Sequence, residues 1–162
     1  MGTRHWEMRK ADQEITSPEE LRAILAGARY VTMAMSLEDE PYLVTVSHGY
    51  DGERNALYFH CAPEGRKMDI LRENPQVWGE AIRDDGADPA ECEQRYATTQ
   101  FRGRVSFPED PGEKRHAIEV LISQFGGDVD AFFAKEGSED RVRRVTIGRV
   151  DIEAMSGKRS SG

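Results

Sequence analysis

The chain has 162 residues, enough for one domain with its own core, and its 38% hydrophobic and 32% charged residues argue against general disorder. Thirty acidic residues against 22 basic ones give a formal net charge of −8, so a nucleic-acid polymer is not the expected partner. No apolar run reaches the length of a membrane span, no signal-peptide core opens the chain, and two cysteines are too few for a disulfide scaffold, so the expected setting is the reducing cytoplasm.

Residues 1–14 are polar and charged, with Trp6 as their large apolar anchor, and read as an arm laid over the domain or over a partner. Ser17-Pro18-Glu19-Glu20 is a helix start, with a hydroxyl N-cap, proline at the first helical position and a carboxylate in the capping-box place. Leu21, Ile24, Leu25 and Ala28 form the apolar stripe of that helix. Residues 30–36 read as a strand, followed by the acidic turn Glu38-Asp39-Glu40. A second strand runs from about Pro41 to Tyr50, with Tyr42, Val44, Val46 and His48 on one face and Leu43, Thr45 and Ser47 on the other. Asp51-Gly52 opens a hairpin connection to a third strand, which leads into Y-F-H-C-A-P-E-G-R-K, residues 58–67.

Extended structure breaks at Pro63 and Gly65, and a helix begins at Arg66 that carries Met68, Ile70 and Leu71 and ends before Asn74-Pro75. The start of a helix bears partial positive charge and unpaired N–H groups, so Arg66 and Lys67 are unfavourable there unless an anion joins them. Two solvated surface cations, screened by Glu64, are the alternative.

Residues 76–83 form a fourth strand containing Trp78, and residues 84–93 read as an acidic loop. A fifth strand, from about Gln94 to Phe107, has Ala97, Thr99, Phe101, Gly103 and Val105 on one face and the polar set Tyr96, Thr98, Gln100, Arg102 and Arg104 on the other. That polar face is either solvated or the wall of a polar site. Asp110-Pro111-Gly112-Glu113 starts another helix, with Ile118, Leu121, Ile122 and Phe125 as its stripe, and a short helix around Phe132 follows. The last strand, from about Arg141 to Ile152, changes phase between Ile147 and Val150, which predicts a bulge near Gly148. Residues 156–162 read as a flexible tail, leaving 15–155 as the folded domain. Six strands joined mostly by short turns predict an antiparallel β-barrel of α+β, mainly β class with flanking helices.

The segments P-Y-L-V-T-V-S-H-G-Y-D, L-Y-F-H-C-A-P-E-G-R-K and N-P-Q-V, in that order, resemble the FMN-binding split β-barrel proteins of the pyridoxamine 5′-phosphate oxidase-like superfamily. Within it, M-R-K-A-D-Q-E-I-T near the start and S-G-K near the end are similar to the 5-nitroimidazole-resistance (Nim-type) branch. The resemblance runs from Met8 to Lys158 and implies a homodimer with FMN in two clefts between the subunits. It implies that Arg66 and Lys67 grip the phosphate, with His60 and Cys61 at the adjoining strand end. Val44, Thr45, Val46, Ser47 and His48 would border the ribityl chain and ring, and Thr98 and Gln100 would come from the partner subunit. His48 stands where pyridoxamine-phosphate oxidases carry a basic residue, and their C-terminal Arg and Trp signature has no counterpart here.

His60 is the candidate catalytic residue, able to orient substrate or relay a proton; the alternative is a strand-end histidine bonded to backbone. No Cys or His pair has zinc-site spacing, no Ser-His-Asp order is present, and no Rossmann fingerprint occurs. The resemblance therefore implies a flavin-dependent reductase of small acceptors such as nitroaromatics, with NADH or NADPH docking transiently. A non-catalytic flavin or haem carrier or sensor, with His60 as a haem ligand, is the other reading.

Overall fold

The structure is a computed structural model and describes residues 8–160. Residues 1–7 of the expected arm, Trp6 among them, and residues 161–162 of the expected tail lie outside the described residues.

Seven strands, not six, make one antiparallel sheet: β1 (Tyr30–Leu37), β2 (Glu40–Ser47), β3 (Gly49–Asp51), β4 (Ala56–Cys61), β5 (Gln76–Asp88), β6 (Glu93–Ser106) and β7 (Thr146–Arg159). Their order is β2-β1-β5-β6-β7-β4-β3. The expected second strand is thus two strands at opposite ends of the sheet, separated in the chain only by His48. One bent segment therefore closes the sheet into a barrel. Beyond that bend, β2 comes close to β4 without pairing to it, so the barrel is split along this line.

Alternation along the strands fills the interior with Val31, Met33, Leu57, Phe59, Val77, Ala81, Phe101, Val105 and Val150. Helix α1 (Pro18–Gly27) adds Leu21, Ile24 and Leu25, and α2 (Arg66–Glu73) adds Ile70 and Leu71. The α1 start is as expected: Ser17 Oγ accepts from Glu20 N at 3.2 Å, with Pro18 at the first turn. Two cross-strand pairs set an aromatic ring over a glycine. A Cβ on Gly79 would lie 2.1 Å from the Phe101 ring, and one on Gly148 would lie 2.2 Å from the Phe59 ring.

A second, smaller core lies outside the barrel, where α3 (Pro111–Gln124) packs Ala117 and Leu121 on Ala56, Tyr58 and Ile147. This explains the phase change in β7. Ile147 faces α3 and Val150 faces the interior, so both sides of the strand are apolar and no bulge is needed at Gly148. The register shift falls later, between Arg102/Ala154 and Gly103/Ile152. After α4 (Val129–Phe133) comes α5 (Ser138–Arg144), which takes up residues 141–144, read from the sequence as the beginning of the last strand.

Three further expectations are corrected. The acidic loop at 84–93 is mostly strand, because β5 and β6 continue into a protruding hairpin with Asp88 opposite Glu93. Residues 156–159, expected in a flexible tail, extend β7 and pair with β6, Ser156 opposite Gln100 and Lys158 opposite Thr98. Residues 14 and 15, at the junction of arm and domain, pair with the same stretch: Glu14 bridges Lys158, and Ile15 N donates to Gly157 O at 2.9 Å.

Candidate functional site

The split between β2 and β4 collects most of the residues singled out in the sequence. β2 pairs only with β1 among the described strands, so its other edge offers backbone N–H and C=O groups to the split. The side chains of β2 divide by alternation. Val46 is buried and Val44 packs against the core, whereas Thr45 is exposed and shares a 2.9 Å hydrogen bond with Thr32, and Ser47 is half-buried. Val46 can therefore border the split only through its backbone.

His48 is the clearest departure from the expected site. Its ring is fully buried, and Nε2–H donates to the Leu25 carbonyl at 2.9 Å, satisfying an orphan acceptor in the last turn of α1. Burial lowers its pKa below the ordinary histidine value, with the Leu25 bond opposing. Its Nδ1 is buried without a hydrogen-bond partner among the described residues. The side chain works inside the core and is not open to a ligand.

At the end of β4, His60 is exposed and Cys61 half-buried. The His60 ring has no hydrogen-bond partner among the described residues, whereas His48 is bonded to Leu25 and His116 to Asp51. Cys61 Sγ lies 3.7 Å from Met68 Sδ, and burial raises its pKa against the opposing charge of Lys67, which keeps the thiol protonated and poorly nucleophilic.

The chain then turns through Gly65, whose φ of 117° suits glycine, into α2. No side chain among the described residues caps this helix start, which leaves its first N–H groups open. Arg66 reaches across the split to β2, forming an ion pair with Glu40 and lying 4.9 Å above the Tyr42 ring. Lys67 Nζ lies 5.4 Å from the centre of the Phe59 ring and has no carboxylate partner among the described residues. Arg66, exposed, and Lys67, half-buried, on this helix start can hold an anion, and phosphate suits both the charge and the N–H groups.

Thr98 and Gln100 are elsewhere. They sit on the outer face of β6, where Thr98 Oγ1 donates to Lys158 O at 3.3 Å and Gln100 Nε2 donates to Glu80 Oε2 at 2.8 Å. This face carries a groove of about 670 Å³, lined also by Ile82, Arg95, Tyr96 and Lys158. A single chain thus brings together β2, the end of β4 and the start of α2, and leaves Thr98 and Gln100 apart from them.

Sequence reasoning missed Glu40, Tyr42 and Phe59 as the immediate surroundings of the cations. Only the in-phase position of Tyr42 with Val44 hinted that it faces inward; Glu40 is 26 residues from Arg66 and carries no local cue. A second polar cluster, on the α3 side, was also missed. There Tyr58 donates to Glu113 at 2.6 Å, Arg54 and Arg149 pair with the same carboxylate, and His116 donates to Asp51 at 2.7 Å. Burial, then the hydrogen bond to Glu113, pushes Tyr58 up to about 12, so it remains a donor. These groups satisfy one another and tie α3 to the β3–β4 hairpin.

The family model described as pyridoxamine 5′-phosphate oxidase matches residues 17–159. A candidate 5-nitroimidazole antibiotic resistance protein from Bacteroides thetaiotaomicron is 28% identical, with a TM-score of 0.76 over 90% of this chain and 85% of that one. An FAD-binding protein from Mesorhizobium loti, 22% identical, gives 0.66 over 90% and 96% of the two chains. An FAD- and heme-binding protein from Mycobacterium smegmatis, 20% identical, gives 0.77 over 93% and 74%. An uncharacterised protein of Rhizobium meliloti is 33% identical over 63 residues, which are 39% of this chain and 40% of that relative.

Proposed function

Since the chain belongs to the pyridoxamine 5′-phosphate oxidase family, we propose that it binds FMN in the split between β2 and β4, with the phosphate at the start of α2. The observation that carries this reading is the consecutive pair Arg66 and Lys67 on an uncapped helix start that opens into the split. The residues present fit such a group. The open edge of β2 at Val44–Ser47 offers backbone donors and acceptors to the ribityl chain and ring, and Thr45 and Ser47 offer hydroxyls.

When bound, a flavin supplies the redox chemistry. The chain's own part is to anchor the phosphate, orient the ring and control access. The imidazole of His60, exposed at the end of β4 and without a hydrogen-bond partner among the described residues, is the group suited to orient a substrate or pass it a proton. The activity proposed is the reduction of small acceptors such as nitroaromatics at the expense of NADH or NADPH. The same unpartnered imidazole favours one other reading, a haem or flavin carrier in which His60 is an axial ligand.

The working unit in this proposal is a homodimer. Its partner covers the outer sheet face, where Tyr30, Leu43, Trp78 and Ile82 are each at least half exposed, and brings Thr98 and Gln100 to the other protomer's split. The free thiols Cys61 and Cys92 suit a cytoplasmic location.

The test compares FMN with riboflavin, which has the same ring and no phosphate. Arg66→Ala with Lys67→Ala is expected to weaken FMN on the order of 10²-fold and riboflavin little, since charge-assisted hydrogen bonds contribute about 1.5–3 kcal/mol each. Equal weakening of both flavins would remove the phosphate from this place. A Soret band in the purified protein, without flavin affinity, would move the assignment to haem.

A further inference from the structure

We propose that Glu40 is a built-in competitor for the phosphate position, a carboxylate that occupies Arg66 until a ligand's phosphate displaces it; this rests on the reading of Arg66 and Lys67 given above. Two independent features point to it. The first is the contact itself, in which Arg66 spans the split to pair with Glu40 while its guanidinium lies over Tyr42. The second is the backbone that presents Glu40. Leu37 and Glu40 close a two-residue turn in which Glu38 and Asp39 both have positive φ, 49° and 64°, so the carboxylate is held at the rim of the split by a defined hairpin.

The two cations are consequently not equivalent. Lys67 is free of carboxylates among the described residues, whereas Arg66 is already neutralised. A phosphate dianion arriving here meets one available positive charge and the repulsion of a carboxylate beside the second. Glu40 thereby acts on ligand choice through Arg66: it penalises a phosphate-bearing flavin and leaves a phosphate-free one unaffected. Both partners of the pair are more than half exposed, with side-chain exposures of 56% for Arg66 and 71% for Glu40, so the penalty is modest.

The experiment measures the affinity of the full chain for FMN and for riboflavin by calorimetric titration, in the wild type and in Glu40→Gln. The substitution keeps the size of the side chain and removes its charge. FMN affinity is expected to rise about two- to fivefold, the range of an exposed ion pair, with riboflavin unchanged. In an Arg66→Ala background the same substitution should lose most of its effect, because the competitor then has nothing to occupy and only its direct repulsion of the phosphate is left. Unchanged FMN affinity in Glu40→Gln, in a wild type that prefers FMN to riboflavin, overturns the competitor role and leaves the phosphate reading standing. A rise of both flavins together overturns it as well. A wild type that binds the two flavins equally brings down both the phosphate reading and this inference.

Discussion

His48 joins the two ends of the sheet and is sealed within it, and its protonation state therefore bears on stability. Its pKa in the folded chain lies below the ordinary value of about 6.5, because burial penalises the imidazolium more than the Leu25 bond favours it. The unfolded chain takes up this proton first as pH falls. The contribution of His48 is therefore present above about pH 6.5 and is lost as pH drops toward the lowered folded value. Denaturant titrations should show the wild type losing more stability between about pH 7.5 and pH 5 than a His48→Gln variant, whose amide can still donate to Leu25. An equal loss in both would put the acid sensitivity on other groups. In the sequence His48 and His60 look alike, each at a strand end in an alternating pattern. What separates them is the bend that carries the chain from one edge of the sheet to the other, and that bend exists only once the barrel closes.

Among the elements, the β1–β2 hairpin carries backbone strain. Glu38 and Asp39 both occupy the left-handed region, where a side chain costs about 1 kcal/mol and glycine nothing. Asp39→Gly is expected to raise stability by about 0.5–1 kcal/mol, read as a higher denaturation midpoint with an unchanged slope, provided that relief outweighs glycine's extra freedom in the unfolded chain. A lower midpoint would mean that the Asp39 side chain contributes more than its backbone costs. The turn itself was legible from its acidity, but its hand was not. The hairpin at 84–93 was misread because polarity reports exposure rather than conformation: it projects beyond β1 and β7, so both of its faces meet solvent. Helix α5 was misread because Val142, Val145 and Ile147 are spaced three and then two apart, a helical step followed by a strand step with no proline between them.

On the scale of the whole molecule, one sheet face is left without cover among the described residues. Trp78 and Leu43 flank Ala34 there, and Ile82 lies nearby, above Thr98 and Gln100. If that face is the proposed interface, light scattering should give twice the chain mass of 18.3 kDa, and Trp78→Glu should shift the protein toward monomer while weakening FMN. A monomeric wild type that binds FMN tightly would defeat the shared cleft. The barrel was legible from alternation and short connections, and the cations from their place after Gly65. The partner of Arg66 was not, because the barrel brings Glu40 to it across 26 residues. The glycines beneath Phe59 and Phe101 carry a consequence for assembly. Slide β5 along β6 by one position, and Trp78 or Glu80 must pass where only hydrogen fits; slide by two, and Val77 or Ala81 meets the same ring. Gly148 opposite Phe59 imposes an equivalent check between β4 and β7. The two rings thus act as keys in keyways: mispaired sheets collide before they can close, and the barrel locks in the one alignment that also delivers α2 to the split.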